Sequence, residues 1–116
     1  MKSAWIGIGF SQASSIEKVA KEFPKLSFAI IDSVVNLPNV ESVVFKEHEG
    51  SFLVGMMAAI ASKSGKVGFV GGMDIPLIRK FQCGYEQGAK FANPKVEVIA
   101  NMTGTTPSAW ADPTRG

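Results

Sequence analysis

The sequence predicts an α/β fold built on a largely parallel sheet. Short apolar runs suited to buried strands alternate with amphipathic helical patterns along the chain. They come in the order strand–helix–strand, then strand–helix–strand–helix–strand. Connections of this kind imply right-handed crossovers between parallel strands.

Each element has its own signal. Trp5 followed by Ile6-Gly7-Ile8-Gly9-Phe10 is a short apolar run ending at polar residues, the mark of a buried strand. Ser11 to Ser15 supplies hydroxyls for a helix start, and Ile16, Val19, Ala20 and Phe23 follow at helical spacing. Pro24 ends that helix. Phe28-Ala29-Ile30-Ile31 is a second buried strand closing on Asp32, Asn36 to Asn39 is a turn, and Val40 to Phe45 is a third strand. Glu47 to Ser64 reads as an unusually apolar helix whose Gly50 and Gly55 point to close packing, ended by Ser64-Gly65. Lys66 to Val70 is a fourth strand, broken by Gly71-Gly72. Asp74, with Pro76 just inside, starts a helix carrying Leu77, Ile78, Phe81, Tyr85, Ala89 and Phe91 until Asn93-Pro94. Val96 to Met102 is a fifth strand and Thr103 to Pro107 a loop. Asp112-Pro113 is a helix start with almost nothing behind it, and this predicts a chain cut from a longer one.

Composition bounds the function. The 116 residues suffice for one ordinary domain, and 46% hydrophobic against 19% charged residues rules out wholesale disorder. A net charge of +2 is too small for electrostatic capture of nucleic acid or an anionic membrane. A single cysteine excludes an internal disulfide framework, and a single histidine excludes histidine-rich metal sites. No apolar run reaches the roughly 18 residues that cross a bilayer, and no signal peptide follows Lys2, so the chain as written is expected to be soluble and unexported.

Gly7-Ile8-Gly9 after a strand, with Asp32 closing the next, invites a dinucleotide-binding reading, an enzyme of Rossmann type. The third glycine would fall at Gln12, which bars close approach of a pyrophosphate, and two glycines easing a turn is the plainer account. Gly71-Gly72-Met73-Asp74 is a second glycine-bearing turn, able to offer N–H groups to an anion or polar edge, but it lacks the Gly-Lys-Ser/Thr ending of a phosphate loop. Glu47-His48-Glu49 resembles a metal cluster, yet consecutive helical residues point about 100° apart, so a solvated helix start is the expectation. Cys83 reads as a small core residue with no histidine placed to activate it. Trp110 either stacks on a ligand or covers an edge. Asp32 sits where a parallel strand delivers its carboxyl end, the edge at which open α/β sheets bind ligands. It either accepts hydrogen bonds from sugar hydroxyls or caps the turn that follows.

Three runs stand out together: Phe28 to Asp32, Val44 to Gly55 and Gly65 to Phe81. They strongly resemble the basic membrane protein family of bacterial solute-binding lipoproteins, the PnrA-like nucleoside receptors of ABC transporters. The similarity extends from Trp5 to the end of the chain. The resemblance implies a partial two-lobed periplasmic-binding-protein (type I) fold. Residues 1–64 would belong to the first lobe and 65–116 to the second, with a hinge near Ser64-Gly65. It also implies a purine nucleoside in the cleft, an ABC permease as partner, a lipoprotein at the periplasmic face of the cell membrane, no cofactor and no catalysis. The family's ribose-binding acid matches Asp32, and Phe10 with the turn Gly72, Met73 and Asp74 matches segments facing the cleft. The lipobox, the export signal and the family's early Lys-Ser-Phe-Asn run are absent from these residues. A chain holding parts of two jaws is expected to self-associate, because its strand edges and apolar faces are left uncovered.

Overall fold

A computed structural model describes residues 4–115 as two compact units, one up to Phe45 and one from Lys46. The first holds β1 (Ala4–Ile8), α1 (Ala13–Glu22), β2 (Ser27–Ile31) and β3 (Val40–Val43). The second holds α2 (Glu47–Ala61), β4 (Lys66–Met73), α3 (Pro76–Ala92) and β5 (Glu97–Gly104). Every strand pairing is parallel, as the alternation of elements predicts.

In the first unit the order is β1–β2–β3, with Trp5 beside Phe28, Ile8 beside Ile31, and Ile31 beside Val43. A short 3-10 turn, Phe10–Gln12, separates β1 from α1. Phe28, Ile30, Val35 and Ala20 form the buried interior. The β2–β3 connection carries no helix. It is pinned where the Val35 N–H donates to Ser42 Oγ at 3.0 Å, and where Asn39 Nδ2 donates to the carbonyls of Ala20, Phe23 and Leu26. Asn39 thereby ties the end of α1, at Ala20 and Phe23, to the turn that leads into β2 at Leu26. The expectation of a buried first strand is corrected. Trp5, Ile6 and Ile8 are exposed, because β1 is an edge strand and α1 covers it through Gly7, whose missing side chain leaves room for Ile16.

In the second unit α2 and α3 press together backbone to backbone. A methyl group on Gly84 would fall 2.3 Å from the carbonyl oxygen of His48, and one on Gly55 would meet the Tyr85 carbonyl closer still. Gly50, by contrast, has nothing near it, so only Gly55 bears the packing that the sequence expects of both. Ala59, Ala89 and Val96 form a small core with Val67, Ala92 and Val98 against it. The fourth strand does not break at Gly71-Gly72 but runs through both to Met73, paired with β5 to Gly104. A side chain at either would meet a neighbour, Met102 and Ile78 at Gly71 and the Trp110 ring at Gly72. Asp74 does not cap α3 either. Ile75 holds the cap position without a side-chain bond, and Pro76 opens the helix. Because α2 packs on α3, it belongs with the second sheet in this division, ahead of the lobe boundary expected at Ser64-Gly65.

Candidate functional site

Parallel strands deliver their carboxyl ends to one edge of a sheet, and each unit presents its candidate residues there. In the first unit that edge carries Gly9, Phe10 and Asp32. Gly9 turns the chain at φ 93° while its N–H donates to the Ile31 carbonyl at 3.0 Å, and half-buried Phe10 opens the 3-10 turn just beyond. Asp32 follows β2 directly. Its N–H donates to the Val43 carbonyl at 2.9 Å, and its φ of 67° is left-handed, the one such value at a non-glycine among the described residues. Its half-buried carboxylate makes no hydrogen bond or ion pair with any described residue, so it caps no turn.

In the second unit the edge carries Gly71 to Asp74 and Thr103 to Pro113. The hydroxyl of Thr103, buried, donates toward the Ala109 carbonyl at 2.8 Å and lies 3.2 Å from that of Gly72. This pins the 3-10 turn Pro107–Ala111 across the strand ends and lays Trp110 on Gly72. The ring stays 51% exposed and borders a hollow of about 400 Å³ with Val70, Gly72, Thr103 and Asp112. Trp110 therefore covers a strand end, one of the two roles the sequence left open.

Asp74 is differently placed. Both its oxygens accept from Arg79, Nε and Nη2, at 2.6 Å each, and these bonds hold its carboxyl below the ordinary aspartate range. The pair borders a small polar hollow of about 250 Å³ with Gln82 and Asn101. The N–H groups that the sequence offered to an anion at this turn are otherwise engaged in part: the Asp74 N–H donates to Gly104, and Gly72 and Met73 lie in the β4–β5 pairing region.

Two further sequence expectations are corrected. Glu47 is not solvated; its side chain is 7% exposed and pairs with Lys80 at 2.7 Å, tying α2 to α3, while Glu49 pairs with Lys46. Neither acid is left for a metal. Cys83 is exposed, not core, and it lines a hollow between α2 and α3 together with His48. Its sulfur accepts from Gln87 Nε2 at 3.1 Å.

The profile of the ABC transporter substrate-binding protein PnrA-like family matches residues 5–116. This chain belongs to that family. It is 42% identical over 93 residues to a CD4+ T-cell-stimulating antigen of Listeria monocytogenes, covering 79% of this chain and 26% of that protein. It is 40% identical over 100 residues to the ABC transporter nucleoside-binding protein BmpA of Lactococcus lactis, covering 85% and 28%. A solute-binding protein of an ABC transporter system from Aeropyrum pernix superposes with a TM-score of 0.73 at 34% identity, over 90% of this chain and 33% of that one. The chain thus spans roughly a quarter to a third of the length of the relatives it matches. The PnrA-like family is one of substrate-binding proteins rather than enzymes, the Lactococcus and Aeropyrum proteins are named as nucleoside- and solute-binding, and the fold is a partial periplasmic-binding-protein fold. The Rossmann reading has no further support: Gly7 serves Ile16, and a 3-10 turn parts Gly9 from the helix start.

Sequence reasoning did not find Thr103, Arg79 or Asn39. A threonine ending a strand and an arginine five residues after an acid are too common to signal anything alone. Their partners are set by the fold.

Proposed function

We propose that this PnrA-like chain contributes part of the cleft of the solute-binding component of an ABC importer, and that the solute is a purine nucleoside. Asp32 carries the reading: a carboxylate at a strand's carboxyl end, in a left-handed backbone, with no partner among the described residues. Ribose hydroxyls are donors of the right kind for it. Beside Asp32 in the first unit, Phe10 supplies an aromatic face for a base. In the second unit, taken by itself, Gly72 and Met73 form the strand end on which Trp110 rests and Asp74 with Arg79 stiffens the turn behind. The Lactococcus relative, named for nucleoside binding, supports the solute class.

In this reading the chain holds parts of two lobes, and the packing of α2 on α3 favours a crossing at Phe45–Lys46 over Ser64–Gly65. The whole protein is a lipoprotein at the outer face of the cell membrane, handing its ligand unchanged to a permease. The test is calorimetry with guanosine and adenosine on a family-length polypeptide carrying these residues. Asp32→Asn keeps the backbone tolerance and removes the charge, so it is expected to weaken binding by about 1–3 kcal/mol. Equal affinity in that variant removes Asp32 from the site, and a folded parent that takes up neither nucleoside overturns the solute class.

A further inference from the structure

The two helices of the second unit share an outward face on which a hollow lies next to a ridge. They run the same way, because a side chain at Gly84 would meet His48 and one at Gly88 would meet Phe52, a turn further along both. Toward their amino ends is the hollow of about 820 Å³ that Cys83 borders, with Phe52, Leu53 and Pro76 as its apolar lining. Tyr85 stacks on Phe69 of β4 at 5.9 Å. It is two residues from both Cys83 and Gln87, so these two line the hollow on the side of α3 away from the sheet. Helical residues seven apart share a face, so Ile60 continues the face of Leu53 toward the carboxyl end of α2. Phe91, four residues beyond Gln87 and 5.6 Å from the Phe52 ring, does the same on α3. Ile60 is 74% exposed and Phe91 71%, and together they make the ridge.

Charge divides along the same line. At the hollow Arg79 pairs with Asp74, Lys80 with Glu47 and Lys46 with Glu49. Glu86, seven residues from Arg79 and on its face, has no ion pair among the described residues and accepts from the uncharged Gln82. The hollow end is therefore acidic. At the ridge Lys63 follows Ile60 by three residues, and Lys90 follows Cys83 by seven. Both lysines are exposed, and neither makes an ion pair or hydrogen bond among the described residues. The ridge end is basic.

We infer that this face of α2 and α3 docks a second copy of the chain, in a two-fold pair whose helices run antiparallel across the interface. Turning one copy end for end sets the ridge of each over the hollow of the other, so one patch serves both sides. An aromatic anchor seated in an apolar pocket is the usual centre of a protein interface, and Phe91 over the hollow supplies it. The same turn carries Lys63 and Lys90 of each copy toward the acidic end of the other. It also sets the positive amino ends of both helices beside the negative carboxyl ends of their counterparts. A parallel pair would lay ridge on ridge and lysine on lysine, which decides the direction. The face lies away from the strand ends, so the inference stands or falls apart from nucleoside binding.

Cys83 is the single cysteine of the sequence and lines the hollow, so its alkylation by iodoacetamide reports whether the hollow is filled. The test follows that rate in the 116-residue chain as its concentration is raised, beside sedimentation equilibrium. Dimers are expected to appear, with alkylation slowed by about tenfold or more as the thiol loses access to solvent. Ile60→Glu alters an exposed position, so the chain keeps its helical circular dichroism. It is expected to weaken pairing by about tenfold or more, because its carboxylate is buried without a partner, and to restore the alkylation rate. Lys90→Glu is expected to weaken pairing at low salt and much less at high salt. Ile6→Glu, on β1, is expected to leave both readouts unchanged. A monomer at every concentration overturns the inference, and so does association that leaves Cys83 as reactive as in the dilute chain. Association that Ile6→Glu abolishes and Ile60→Glu does not also overturns it.

Discussion

At φ 67° an L-residue pays roughly 1–2 kcal/mol, least for aspartate and asparagine, whose short polar side chains tolerate that backbone. Asp32 is thus held at some cost where β2 ends. An Asp32→Gly variant is expected to keep or slightly raise stability in a denaturant titration while losing ligand affinity, a split that a purely structural aspartate does not produce. Asp74 offers the opposite case. Its pKa lies below the ordinary 3.8 because Arg79 bonds its ionised form. The sign follows: the pair's contribution is present above pH 3.8 and disappears as pH falls through the depressed folded value. Carbon-detected NMR is expected to give Asp74 a midpoint under 3.8, returning toward it in Arg79→Gln.

Elements hold together here through close approaches more than through large side chains. The α2–α3 contact depends on hydrogen atoms where other residues carry a methyl group. Gly84→Ala drives that methyl into the His48 backbone, which cannot move as a flexible side chain can. A loss of about 1–3 kcal/mol is expected in chemical denaturation, larger than for Gly50→Ala, whose position is open. The Thr103 hydroxyl ties the 3-10 turn bearing Trp110 to the end of β4. Thr103→Val keeps the shape and removes the donor facing Ala109 and Gly72, so about 1–3 kcal/mol is expected to be lost. The tryptophan emission is expected to move to the red as the Trp110 ring lifts from Gly72. An unmoved spectrum would detach the hydroxyl from the ring.

At the scale of the whole molecule, many large apolar side chains among the described residues lie outside the two small cores. Leu53, Val54, Met57 and Ile60 lie exposed along α2, and Trp5, Ile6 and Ile8 along β1. Exposed apolar patches and open strand edges promote association. Sedimentation velocity on the 116-residue chain is expected to show species that grow with concentration. A single monomeric boundary at all concentrations contradicts this.

The order of strands and helices, the parallel pairing and the family were legible in the residues, because periodicity, helix stops and the run from Gly65 to Phe81 are local signals. What lay outside them was decided by contacts between distant segments. Gly71 and Gly72 read as a strand break, yet they continue β4, since Met102 and Trp110 occupy the space that side chains would need. Cys83 and Glu47 exchanged their expected burial because α3 turns one outward and sets Lys80 over the other. Spacing along a chain tells which face a residue shares with its neighbours. Only the packed structure tells what stands opposite that face.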